Sequence, residues 1–123
     1  MSGVLAWTGV ALVGAAGAWA RFSLGAAVAA RWPSEFPFGT LTVNLTGGFL
    51  LGLLVGLSVT GDALLVLGTG LLGAYTTYST WMVEAQRLGE DGAFAAMGLY
   101  LLGSMVAGLA ATGAGWLLGG ALT

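Results

Sequence analysis

Apolar residues run through this chain in long stretches, and a few polar clusters cut them into four. The first stretch covers about Val4 to Ala30 and closes at Arg31-Trp32-Pro33-Ser34-Glu35. The second begins after Pro37, at about Phe38, and runs to Val59, ahead of Thr60-Gly61-Asp62. The third covers about Ala63 to Val83 and gives way to the polar run from Glu84 to Asp91. The fourth covers about Gly92 to Gly119. A helix rises 1.5 Å per residue and needs about 20 apolar residues to cross a bilayer, so each stretch predicts a membrane-spanning helix. The whole chain reads as one all-α, four-helix transmembrane domain over residues 1–123.

Composition supports a membrane protein and narrows the chemistry. Of 123 residues, 58% are hydrophobic and only 7% charged, against about 25% charged in soluble domains. Mean hydropathy is +0.96. The net charge of −2 comes with no lysine cluster and only three arginines, which leaves no footprint for nucleic acid. With neither Cys nor His, disulfides, thiolate metal sites and histidine-based catalysis lose their usual ligands and bases. Passage across a membrane is the expectation, and enzymatic chemistry is not. Ala18-Trp19-Ala20 resembles a signal-peptidase site, but no basic region precedes it and the apolar pattern resumes after Arg21, so the first helix is expected to be retained.

Four spans put both ends of the domain on one side and the loops carrying Arg31 and Arg87 on the other. That side is expected to be cytoplasmic. Two arginines set so small a bias that the chain can insert in both orientations. The 23 glycines are seams rather than linkers. Gly48, Gly52 and Gly56 recur every four residues, as do Gly14 and Ala18, and small residues at that spacing let helices approach closely in lipid.

Polar groups at membrane depth carry the functional reading, because the bilayer core offers them no water. The middle of the third span reads Gly70-Leu71-Leu72-Gly73-Ala74-Tyr75-Thr76-Thr77-Tyr78-Ser79-Thr80-Trp81. Its hydroxyls lie within roughly 10 Å of the midplane by helical rise. Either the helix breaks here and turns freed carbonyls or amides toward an ion, or it continues with each hydroxyl bonded to its own preceding turn. Thr40 and Asn44 share a face of the second span, where Asn44 serves either an ion or a neighbouring helix. Tyr100, Ser104, Gly108 and Thr112 form a stripe on the fourth span, either a hydrogen-bonding track or a packing seam. Arg21 sits about 6 Å beyond the middle of the first span, where it either faces an anion or snorkels to the interface. Trp7, Trp32 and Trp116 have the depth of interfacial belts, whereas Tyr78 and Trp81 flank the hydroxyl cluster, and aromatic edges carry partial positive charge.

At these residues the sequence resembles the Fluc (CrcB) family of fluoride channels. The resemblance rests on Gly14-Ala15-Ala16-Gly17-Ala18-Trp19-Ala20-Arg21-Phe22, on Pro37-Phe38-Gly39-Thr40-Leu41-Thr42-Val43-Asn44 with Gly47, Phe49 and Gly52, and on Gly70, Gly73 and Thr76-Thr77-Tyr78-Ser79-Thr80-Trp81. It implies passive fluoride export across the cytoplasmic (inner) membrane by an antiparallel, dual-topology homodimer with two pores and a broken third helix. It further implies a structural Na+ on the dimer axis, held by the backbone carbonyls of Gly73 and Thr76 of both subunits. The fluoride pathway would use Thr40, Asn44, Tyr78, Ser79, Trp81, Tyr100 and Ser104, with Arg21 in a vestibule or structural role. Where the family has two phenylalanines this chain has Tyr78 and Trp81, and the track's next position is Gly108, which has no side chain to offer. A heterodimer is a second assembly that some family members form.

Two other functions fit a four-helix membrane protein. A proton-coupled exporter of the small multidrug-resistance type wants a carboxylate deep in the first span, which contains none. A non-transporting assembly subunit would tolerate Gly73→Ala or Asn44→Ala without functional loss.

Overall fold

A computed structural model describes residues 2–123, and among them every regular element is helical. Helix α1 spans Gly3–Arg31. The Ser2 hydroxyl accepts from the Leu5 amide at 3.3 Å, satisfying one of the amides a helix start leaves unpaired. Helix α2 spans Phe38–Gly56 and starts directly after Pro37. It stops short of Val59 because Ser58 takes a positive φ of 62°, which turns the chain toward Gly61. Helix α6 spans Phe94–Ala121, entered from Gly92 at φ 78°, a left-handed conformation that glycine adopts without strain. These three helices are long and apolar enough to cross a membrane by length and composition.

The stretch between them is segmented. Helix α3 covers Gly61–Leu64, a wider π-helix follows over Leu65–Leu72, and α4 adds one turn at Gly73–Tyr75. Thr76 is extended, at φ −80° and ψ 160°. Helix α5 then covers Ser79–Glu90, carrying helical structure through the polar run that begins at Glu84.

Glycine seams set the packing. Helix α2 lies along α6, and α1 lies along the π-helix. A methyl group on Gly52 would collide with the Thr112 carbonyl, and one on Gly115 with that of Phe49. A methyl on Gly48 would come within 2.9 Å of Thr112 Oγ1. The expected 48–52–56 seam is therefore the α2–α6 contact. On α1, a methyl on Gly17 would strike the Leu71 carbonyl, so Gly17 joins Gly14 in bringing that helix against the π-helix. Two small buried clusters result, Val43 with Leu72 and Tyr75, and Ala85 with Leu88 and Tyr100. Leu12, Trp19, Phe22, Leu102 and Leu109 point outward. An apolar exterior over long helices is that of a multi-pass membrane protein.

Candidate functional site

The site is built around the interruption between α4 and α5. In a continuous helix the Thr77 amide would donate to the Gly73 carbonyl and the Thr80 amide to that of Thr76. Both are diverted. The Thr77 amide donates to Asn44 Oδ1 at 2.8 Å, and the Thr80 amide donates to Thr77 Oγ1 at 3.2 Å. Asn44 Nδ2 in turn donates to the Thr77 carbonyl at 2.9 Å, so one α2 side chain satisfies both backbone groups of Thr77. Thr76 closes the preceding turn, its amide and its hydroxyl donating to the Leu72 carbonyl at 2.9 and 3.0 Å.

Neighbouring residues brace the ends. Arg21 Nε donates to the Ala74 carbonyl at 3.1 Å, placing a cation where a helix end concentrates negative partial charge. The Tyr75 hydroxyl lies 2.7 Å from Thr46 Oγ1, and Thr46 directs its own proton to the Thr42 carbonyl at 2.8 Å. Gly47 makes room for the interruption, since a methyl there would collide with the Thr76 methyl.

Of the carbonyls freed by the interruption, that of Ala74 takes Arg21 and that of Thr77 takes Asn44, while those of Gly73 and Thr76 lose the diverted Thr77 and Thr80 amides. Neutral backbone oxygens of this kind suit a hard monovalent cation, so the donor set fits sodium. Gly73 is exposed, and a methyl on it would meet only the Gly68 carbonyl, at 3.6 Å. Packing within the chain therefore gives no reason for glycine at this position. Among the described residues no three His, Cys, Asp or Glu side chains converge as a multivalent metal site would need.

Beside the interruption lies a cavity of about 370 Å³ whose wall includes Asn44, Gly73, Thr76, Tyr78, Trp81 and Ser104 and no charged side chain. The rings of Tyr78 and Trp81 are 5.7 Å apart, and Trp81 meets Tyr100 at 6.4 Å, near edge-on. Tyr100 is fully buried behind Trp81. Two polar atoms of the wall residues are shielded and make no hydrogen bond: Trp81 Nε1 and Ser104 Oγ.

A second cavity, of about 490 Å³, is lined by Thr40, Ser79, Thr80, Val83, Glu84 and Arg87. The Thr40 hydroxyl donates to Glu84 Oε1. Burial raises the Glu84 carboxyl above its ordinary value of 4.5, opposed by the Thr40 hydrogen bond and the Arg87 charge.

The residues named from sequence thus fall into three places. Asn44, Tyr78, Trp81 and Ser104 share the first cavity with Gly73 and Thr76. Thr40 and Ser79 share the second. Arg21 lines neither and holds a backbone carbonyl. Sequence reasoning gave Glu84 and Arg87 no part in the site and did not separate Thr77 from its neighbours. The i, i+3 spacing of Glu84 and Arg87 on an amphipathic helix was an available signal. The Thr40–Glu84 pairing, 44 residues apart, had none.

Residues 8–116 match the family described as CrcB-like protein, Camphor Resistance (CrcB). The chain is 52% identical over 108 residues to the Fluoride-specific ion channel FluC 2 of Mycobacterium tuberculosis (strain ATCC 25618 / H37Rv), covering 88% of this chain and 86% of that one. It is 43% identical over 121 residues to the Fluoride-specific ion channel FluC 2 of Moorella thermoacetica, covering 96% and 99%. A Haloarcula marismortui relative of the same name is 44% identical over 103 residues, covering 84% of each.

Proposed function

This chain belongs to the CrcB-like family, and from that premise we propose that it is a fluoride-selective channel that lets fluoride leave the cytoplasm passively. It is a membrane protein and not an enzyme. The observation that carries the reading is the uncharged cavity beside the α4–α5 interruption, walled by the Asn44 amide, aromatic rings and the Ser104 hydroxyl. Stripping a small anion of water costs tens of kcal/mol in a low dielectric, so conduction needs donors already in place. A fixed positive charge would hold the ion too tightly to release it.

Ser79 and Thr80 offer hydroxyls to an arriving ion beside Thr40, whose own proton goes to Glu84. From there the pathway runs past Asn44, Tyr78 and Trp81 toward Ser104 and Tyr100. Asn44 divides its amide between two tasks. It fixes the Thr77 backbone, and its Nδ2 keeps one further N–H beyond the bond to the Thr77 carbonyl.

The working unit in this reading is an antiparallel homodimer of four-span subunits in the inner membrane, the third span being the interrupted stretch from about Ala63 to Val83, with Glu84 beyond its end. The Gly73 and Thr76 carbonyls of both subunits would hold a structural sodium ion, whose positive charge would balance their partial negative charges at the axis. The exposed Gly73 and the 71% exposed Tyr78 support a second subunit at this face, and a filled four-helix bundle leaves little room for a pore within one chain. A heterodimer would use the same surfaces.

Purified protein in liposomes loaded with fluoride provides the test. Rapid fluoride efflux with chloride retained is expected. No fluoride efflux, or equal passage of both halides, would overturn the proposal.

A further inference from the structure

Trp81 is the most informative unpartnered side chain in the molecule. It stands on α5 in the wall of the first cavity, and its indole nitrogen is shielded and without a hydrogen-bond partner. An indole has one polar atom, which donates and never accepts. The Ser104 hydroxyl, on the same cavity wall, is also unpartnered, and the Tyr100 ring meets Trp81 edge-on. Hydroxyls can reverse their polarity, whereas the indole cannot. Trp81 therefore sets the sign of what this cluster can hold. A small group rich in lone pairs fits, and a cation does not.

We infer that the Trp81 indole N–H donates a hydrogen bond to fluoride in transit, making Trp81 a specificity-determining residue through its nitrogen and not only through its ring edge. The inference rests on the channel reading above. An N–H carries far more positive charge at one point than an aromatic edge does, and a compact anion profits more from a point donor than a large diffuse one. Because the indole nitrogen and the Ser104 oxygen are sealed from solvent, an ion that reaches them exchanges its water for these donors. The unsatisfied indole N–H then gains the acceptor it lacks.

The test uses the full chain, labelled with 15N-tryptophan and reconstituted in lipid nanodiscs. Of the five tryptophans, the Trp81 resonance is assigned by replacing Trp7, Trp19, Trp32 and Trp116 in turn with phenylalanine. Sodium fluoride should move the Trp81 indole N–H resonance downfield in a saturable way, and sodium chloride at the same concentration should leave it in place. In liposomes, Trp81→Phe keeps a ring edge and should raise the fluoride concentration for half-maximal flux about tenfold, as loss of a hydrogen bond to a charged group does. A stationary Trp81 resonance in protein that conducts fluoride overturns the inference alone, as does an unchanged half-maximal concentration in Trp81→Phe. Absence of fluoride flux in the unaltered protein overturns the channel reading and this inference together.

Discussion

Asn44 and Thr77 exchange two hydrogen bonds, the asparagine oxygen taking the Thr77 amide at 2.8 Å and its nitrogen giving to the Thr77 carbonyl at 2.9 Å. A side chain on one helix thereby replaces the backbone partners that another segment lacks. Each partly buried group stranded by its removal costs about 1–3 kcal/mol. Asn44→Ala should lower the thermal stability of the detergent-solubilised protein and reduce fluoride efflux by at least tenfold. Asn44→Asp accepts from the Thr77 amide but cannot donate to its carbonyl, so it should not rescue either property. Wild-type melting and efflux in both variants would dissociate this pair from function.

Thr77 can be tested apart from Asn44. Its hydroxyl accepts the Thr80 amide, much as a capping residue does at a helix start, where losing the hydroxyl costs about 0.5–2 kcal/mol. In Thr77→Val the Thr80 amide is released to bond the Thr76 carbonyl. The proposed sodium site would then lose an oxygen. Replacing sodium with a bulky organic cation should dissociate or destabilise the wild-type dimer, whereas Thr77→Val should show weak dimerisation in both salts. An unaltered sodium response in the variant would argue against those carbonyls.

Two glycines should behave oppositely. Gly52→Ala drives a methyl into the Thr112 carbonyl on the main helix seam, and overpacking of this kind costs about 1–3 kcal/mol. Poor yield and aggregation are expected. Gly73→Ala meets only ordinary contact within its own chain, so the subunit should fold and insert while dimer formation and fluoride efflux fall. Size-exclusion chromatography beside the efflux assay separates the two outcomes. A fully active Gly73→Ala dimer would leave the proposed axis without support.

Acidity should act through Glu84. Burial lifts its carboxyl above the ordinary 4.5, so between that value and the raised one the folded protein binds the extra proton. Stability is thus favoured on the acid side of this window and falls as pH rises through the raised pKa. The same proton removes a negative charge from the Thr40–Ser79 cavity. Fluoride flux should therefore increase on mild acidification, and Glu84→Gln should flatten that dependence while preserving an oxygen for the Thr40 hydroxyl. An identical pH profile in Glu84→Gln would exclude this carboxyl as the titrating group.

Patterns local in sequence were the legible ones. Apolar length announced α1, α2 and α6, and the four-residue recurrence of Gly48, Gly52 and Gly56 announced a close helix seam without naming α6 as its partner. The composition around Thr76 signalled an anomaly without fixing its form. That form depends on Asn44 meeting Thr77 and on Thr40 meeting Glu84, contacts 33 and 44 residues apart. No periodicity reports them, because they exist only once α2 has been laid beside the 61–90 stretch. The unpartnered state of the Trp81 nitrogen was equally hidden, since it is a property of what the indole fails to meet.

The π-helix at Leu65–Leu72 decides where the interruption points. Wider turns use more residues per revolution than α-helical ones, and isolated π-turns commonly occur at functional positions. Such a segment works as a rotary adjustment, offsetting every residue after it in azimuth while leaving α1 free to clamp the barrel of the screw. Thr77 meets Asn44 with that offset in place. Deleting one residue from Leu65–Leu72 would let the stretch relax toward α-helical winding and swing Thr77 away from its clasp, although no residue of the site itself had changed. Insertions and deletions in this apolar, chemically silent segment are therefore aiming errors, and their effect on conduction should exceed that of most substitutions there.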